Sequence, residues 1–198
     1  LRRAAGVEPK RCPSWAPSGL PDGTGYSVPL SAFSEEEVRQ VVAFSCRTLV
    51  QQGFERPRAF RAGGWHAGSG VLSALAAEGF ATDSSEVPQD HLPGNFGEVQ
   101  DLWPDATRVS QPYRLAHGLV EVPNNGCLAD YVTAGQMVDT FREVVRSASP
   151  LLEEGEGGKC WYLPRAEGTP AVLSLGFHQE TAAKFLPRLR AALREIER

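Results

Sequence analysis

Pro57-Arg58-Ala59-Phe60-Arg61-Ala62-Gly63-Gly64-Trp65 is the stretch whose reading decides the fold class. It reads as a strand from Arg58 to Ala62 that ends in a glycine corner. Gly53 closes a helical pattern before it, and Ser69 opens another after it, with Leu72, Leu75 and Ala76 facing inward and Gly79 as the stop. A short strand from Phe80 to Asp83 follows directly. Strand, helix, strand in this order is the mark of a βαβ unit with parallel pairing. A third corner closes the apolar run Leu173-Ser174-Leu175-Gly176-Phe177-His178. Carboxyl ends of parallel strands are where ligand-handling groups gather in such sheets. Arg61, Asp83 and His178 are therefore expected around one site, where Asp orients His and Arg holds an oxyanion or a second carboxylate.

Working outward, residues 1–33 are rich in Pro and Gly and carry no clear period. Ser34-Glu35-Glu36-Glu37 is a capping box that predicts a helix start. Val38, Val41, Val42, Cys46, Leu49 and Val50 then recur at helical spacing. Residues 86–118 hold Pro88, Pro93, Gly94, Gly97, Pro104 and Pro112, which predicts a long excursion of turns with a short hairpin. Leu119 to Val122 reads as a strand ending at the turn Pro123-Asn124-Asn125-Gly126. Residues 133–147 carry Met137, Val138, Phe141, Val144 and Val145 on one helical stripe. Glu153 to Lys159 reads as an exposed acidic loop, and Ala171 to Phe177 as a strand buried on both faces. A last helix buries Phe185, Leu186, Leu189, Leu193 and Ile196, with Pro187 expected in its first turn, where a missing amide costs little.

A net charge of −4 offers no polyanion-binding field, so nucleic acid is not an expected partner. No run of 18 apolar residues is present, so no membrane span is expected. Cys12, Cys46, Cys127 and Cys160 show neither Cys-x-x-Cys spacing nor disulfide density, which favours free thiols in a reducing compartment. With no signal peptide visible, a cytoplasmic location is slightly favoured. The chain opens on Leu1 rather than Met, so a fragment or processed product is expected.

Each candidate also has a plain structural reading. His178 can cap the final helix, Asp83-Ser84-Ser85 is a good turn, and Arg61 can form an ordinary salt bridge. Gly63 and Gly64 let backbone approach a ligand, and Trp65 offers either a sugar-stacking face or core packing. His66 and His91 read as solvated loop residues.

Three motifs together resemble the polysaccharide deacetylase family, carbohydrate esterase family 4. The block from Pro57 to Trp65 is similar to the family's third motif, Gly79-Phe80-Ala81-Thr82-Asp83-Ser84-Ser85 to its fourth, and Ser174-Leu175-Gly176-Phe177-His178 to its fifth. The resemblance implies an α/β fold, a distorted or partial (β/α) barrel with parallel strands and outer helices. It implies one domain over residues 1–198 that lacks its first strand or strands. It implies a hydrolase of the carbon–nitrogen amide bond of N-acetylated sugars, with a carbohydrate substrate or ligand as the partner. His178 would protonate the leaving amine, Asp83 would hydrogen-bond His178, and Arg61 would orient the catalytic base; Trp65, Gly63 and Gly64 would contact the glycan.

The family uses a divalent metal such as zinc, held by an aspartate of the first motif and two histidines of the second. Here Lys10-Arg11-Cys12-Pro13-Ser14-Trp15 stands where the histidine pair is expected, and no aspartate-bearing strand precedes it. Lysine is a poor metal ligand at neutral pH, so no metal ligand is assigned and the cofactor is left open. Two functions follow: a deacetylase whose metal and base half lies upstream, or an inactive member of the fold that binds a glycan or a protein.

Overall fold

The computed structural model describes residues 2–10, 28–92, 97–147, 152–154, 160–162 and 170–198. They form a mixed α/β chain that divides into two compact units. The first is Leu1–Ser85 with His117–Leu119, and the second Glu86–Ala116 with Val120–Arg198.

In the first unit, helix α1 spans Glu35–Gln51 and starts where the capping box places it. The Ser34 hydroxyl accepts from the Glu37 amide at 3.3 Å, and the Glu37 carboxylate accepts from the Ser34 amide at 2.7 Å. Lys10 donates to the same carboxylate at 2.8 Å, and this bond, aided by the Ser34 amide, holds the Glu37 pKa down at about 2. The buried stripe is shorter than the periodicity predicts. Val38, Val42 and Cys46 are buried, but Leu49 and Val50 are 39% and 47% exposed.

Strand β1, Ala59–Phe60, runs parallel to β2, Thr82–Asp83, in the register Ala59 to Thr82 and Phe60 to Asp83. Helix α2, Ser69–Ala77, connects them and buries Val71, Leu72, Ala74 and Leu75. Gly79 turns the chain out of α2 at φ 79°, a left-handed conformation that a side chain would strain. The βαβ unit is therefore present, with strands of two residues each. The rings of Phe60 and Phe80 meet edge to face at 5.9 Å across its end.

In the second unit, the excursion over 86–118 contains a helix that the proline pattern hides, α3, Gly97–Leu102. Val99 from this helix and Trp103 just after it are buried. Strand β3, Tyr113–Arg114, pairs antiparallel with β4, Val120–Glu121. Helix α4, Ala134–Arg146, has its own capping box, Thr133 with Gln136, and buries Met137, Val138, Thr140 and Val144. Val145, expected on the buried stripe, is 54% exposed.

Strand β5, Leu152–Glu154, pairs antiparallel with β6, Cys160–Tyr162, so the expected acidic loop begins as a strand. Residues 155–159 lie outside the described residues. Helix α5, Ala182–Ile196, lies against α4, where Arg142 meets Glu195 at 3.0 Å. Phe185, Leu189 and Ala192 are buried, while Leu193 is exposed. Pro187 sits about one turn deeper than expected, because the helix already starts at Ala182, five residues before it, directly after a 3-10 turn at Gln179–Thr181.

The apolar run 171–177 is not the doubly buried strand that its composition predicts. It is half-buried, and among the described residues its isolated bridge is parallel, Leu128 to Gly176. A short backbone ladder joins it to residues 126–129, where the Gly126 amide donates to the Ser174 carbonyl at 3.1 Å, the Gly176 amide to the Cys127 carbonyl at 3.2 Å and the Ala129 amide to the Gly176 carbonyl at 2.8 Å, and side-chain amides extend it. Gln111 Oε1 accepts from the Val172 amide at 2.8 Å, and Gln111 Nε2 donates to the Val172 carbonyl at 3.1 Å. Asn125 Nδ2 donates to the same carbonyl at 2.8 Å, and Asn125 Oδ1 accepts from the Ser174 amide at 2.9 Å. Backbone polar groups need partners once partly buried, and two amide side chains supply those of Val172 and Ser174 that the ladder leaves over.

Candidate functional site

In the first unit, the turn after β2 lies against the corner after β1. Asp83 is fully buried, and its carboxylate accepts from the Ser85 amide at 3.2 Å and from the Ser85 hydroxyl at 2.9 Å. The Ser85 hydroxyl oxygen in turn accepts from the Ala62 amide at 3.0 Å. Arg61 closes the corner from outside, donating to the Ser84 carbonyl at 2.9 Å and to the Ser84 hydroxyl at 2.7 Å. Asp83 thus makes the turn that Asp-Ser-Ser favours, and Arg61 and Ser85 lock the two strand ends together.

Gly63–Trp65 forms a 3-10 turn in which Gly64 and Trp65 both have positive φ, 61° and 62°. A tryptophan held there stores strain of about 1–3 kcal/mol. Gly63 and Gly64 are exposed, whereas Trp65 is only 5% exposed, so its ring offers no open face for a sugar. His66 and His91 are also buried, at 5% and 6% exposure, which corrects the reading of both as solvated. Burial, aided by Arg108, pushes the His91 pKa below its ordinary value against the pull of Asp90 and Glu143.

In the second unit, His178 leads into the 3-10 turn before α5 and faces a residue that sequence reasoning missed. His178 Nδ1 lies 3.0 Å from Asp130 Oδ1, and the His178 amide donates to Asp130 Oδ2 at 3.3 Å. The Thr181 hydroxyl donates to Asp130 Oδ1 at 2.6 Å. Burial raises the Asp130 pKa, but these bonds from Thr181 and His178 outweigh it and hold the group below its ordinary value. Tyr131 sets its ring edge against the imidazole at 6.3 Å between centroids.

The turn carrying Asp130 is itself anchored. Arg188 donates to the carbonyls of Ala129 at 2.6 Å and Val132 at 3.0 Å, and the Ala129 amide donates to the Gly176 carbonyl at 2.8 Å. Nothing in Leu128-Ala129-Asp130-Tyr131 marks this aspartate locally. Its signal lies 48 residues away in sequence, at His178.

A second acidic cluster stands in the same unit. Glu86 and Glu121 are both buried, and Glu121 Oε1 accepts from the Glu86 amide at 2.9 Å. The Tyr113 hydroxyl donates to Glu86 at 2.5 Å. Burial raises the Glu86 pKa against the opposing hydrogen bonds of Tyr113 and Ser110. A raised folded-state pKa means that the protonated form is favoured on folding. The contribution is fully present below about pH 4.5 and is lost as pH rises through the raised value. Glu86→Gln keeps a neutral acceptor for Tyr113. Its stability relative to the native chain is expected to increase as pH rises above 4.5 and to level off once pH passes the raised value, in urea titrations; a difference that stays flat with pH from 4.5 upward would contradict this.

Among the described residues, no group of three or more His, Cys, Asp or Glu side chains is placed to hold a metal ion. Lys10, in the place of an expected histidine ligand, gives its ammonium to Glu37 at 2.8 Å and to the Ala32 carbonyl at 2.9 Å. An ammonium engaged as a donor has no lone pair for a metal. Cys12 lies outside the described residues. The described side chains therefore do not fit the family's metal. No helix among the described residues is long and apolar enough to cross a membrane.

No family model matches the chain, and no curated protein matches it in sequence. Among solved structures, the chain is similar to a protein from Mycobacterium smegmatis provisionally described as a polysaccharide deacetylase. The TM-score is 0.48 and the sequence identity 20%, over 84% of this chain and 50% of that one. The chain thus spans half the length of that protein.

Proposed function

We propose that the protein belongs to the chemistry of carbohydrate N-deacetylation, with His178 as the proton donor to the leaving amine. The observation that carries this reading is the seating of His178. Its Nδ1 faces a carboxylate whose side chain is 9% exposed, while the His178 side chain is 42% exposed, so Nε2 is the ring nitrogen left to meet a ligand. A histidine tied at one nitrogen and open at the other is built to exchange a proton. In the step assigned to it, a water oxygen has added to the acetyl carbonyl. The proton that the water loses on addition passes to His178 Nε2, directly or through solvent; the carbon–nitrogen bond then breaks as this imidazolium returns the proton to the nitrogen, giving acetic acid, which ionises to acetate, and a free amine on the sugar.

The sequence motifs extend the reading. By resemblance, Asp83 and Arg61 take part in the same chemistry, and Gly63 and Gly64 contact the glycan; the buried ring of Trp65 is left out of that contact. A single domain with a partial (β/α) barrel belongs to the same proposal. No step is assigned to a metal.

The test is acetate release from N-acetylated oligosaccharides, measured with and without added zinc, cobalt or nickel. His178→Gln is expected to lower kcat about a hundredfold or more with little change in KM, the range for losing a general acid. Saturable glycan binding with no acetate release under any of these conditions would replace the hydrolase with a glycan-binding protein. An equally active His178→Gln would remove His178 from the chemistry.

A further inference from the structure

We propose that Asp130, which lies outside every sequence motif, is the positioning residue for His178, fixing the neutral ring with its proton on Nδ1 and Nε2 as the working nitrogen. This inference deepens the proton-donor reading of His178 and rests on it for its functional meaning. The geometry stands by itself. An ionised carboxylate can only accept, so the contact of 3.0 Å requires the proton to sit on Nδ1. The second carboxylate oxygen takes the His178 amide, so Asp130 grips the residue by backbone and ring at once. Two contacts from one carboxylate to one residue fix the ring's orientation as well as its tautomer.

Asp130 is in turn held still. Thr181 donates to Oδ1 at 2.6 Å, and Arg188 clamps the carbonyls on either side of Asp130 at 2.6 and 3.0 Å. A partner this constrained can impose an orientation on the imidazole, which is the requirement for a positioning role. Asp83, the partner implied by the motif resemblance, has both carboxylate oxygens engaged with Ser85 in the turn after β2. The carboxylate seated on the His178 ring is thus Asp130, a residue outside the motifs that carry the resemblance.

The decisive measurement is the tautomer of neutral His178, read from long-range proton–nitrogen correlation spectra of the nitrogen-15-labelled chain above the imidazole titration. The native chain is expected to show the Nδ1–H form as the majority. Asp130→Asn is expected to lose that majority while Thr181→Val and Asp83→Asn retain it. An Nε2–H majority in the native chain would overturn the proposal without any variant, so failure of Asp130→Asn to fold cannot rescue it. A tautomer unmoved by Asp130→Asn, or moved by Asp83→Asn, would overturn it as well. Activity is read separately: a kcat loss in Asp130→Asn with unchanged KM is the expected companion. A native chain that shows the Nδ1–H form yet releases no acetate would sink the hydrolase reading and leave the positioning role standing.

Discussion

Asn125→Ala is expected to lower the stability of the protein by about 3 kcal/mol, a large effect for a residue in a turn. Asn125 is 1% exposed and reaches three backbone groups in two segments. Its Nδ2 donates to the carbonyls of Ser110 at 2.9 Å and Val172 at 2.8 Å, and its Oδ1 accepts from the Ser174 amide at 2.9 Å. The three losses are unequal. Both carbonyls also receive Gln111 Nε2, at 3.1 Å each, so they keep a partner after truncation. The Ser174 amide has no such substitute in the described hydrogen bonds, and a buried donor left without an acceptor costs about 1–3 kcal/mol by itself. Asn125→Asp sharpens the test. It preserves the acceptor for Ser174 but sets a carboxylate against two carbonyls, so it is expected to be at least as harmful as alanine near neutral pH. Urea unfolding followed by circular dichroism would measure both. An aspartate variant as stable as the native chain would show that the donor bonds contribute nothing.

The same seam shows why part of the molecule was legible in its sequence and part was not. Local rules placed α1 through Ser34 and Glu37, the βαβ unit through the pattern around Phe60 and Gly79, and α4 and α5 through their apolar stripes. Those signals lie within a few residues of the structure they specify. The run 171–177 has the composition of a buried strand, yet beside a short backbone ladder to residues 126–129 part of its pairing is taken over by two amide side chains, 47 and 61 residues away from Val172. No local period encodes that substitution. Asn125 was readable as a turn residue but not as a three-armed brace.

The candidate site divides in the same way. His178 stood out because a strongly apolar run ends there, and Asp83 and Arg61 because they follow short strands. Asp130 carries no local mark, since its role depends on the long-range approach of Thr181, His178 and Arg188. His66 and His91 misled for a related reason. Both lie in polar, turn-rich stretches, and both are buried. Helix and strand periodicity reports which face of an element is covered; it says nothing of loops folded inward.

Gly126→Ala carries the second large expectation, about 2–3 kcal/mol of destabilisation, with a consequence that reaches His178. The backbone angles of Gly126 are not in the left-handed region, so the cost is one of space alone. An added Cβ would stand 2.6 Å from the Ser174 carbonyl oxygen and 2.4 Å from Leu175 Cδ2. The first of these is backbone and cannot swing aside. It is also the acceptor of the Gly126 amide at 3.1 Å, so the substitution pushes apart the two segments that this bond joins. Gly176 provides the control. A Cβ there would meet Leu128 Cδ2 at 2.8 Å, the end of a flexible side chain, and Gly176→Ala is expected to cost under about 1 kcal/mol. Ser174 lies four residues before His178, so displacing it tilts the imidazole relative to Asp130, whose turn is separately anchored by Arg188. Gly126→Ala should therefore erode the Nδ1–H majority of His178 while Gly176→Ala leaves it intact. Equal stability and equal tautomer populations in the two variants would mean that the 172–176 segment does not set the position of His178.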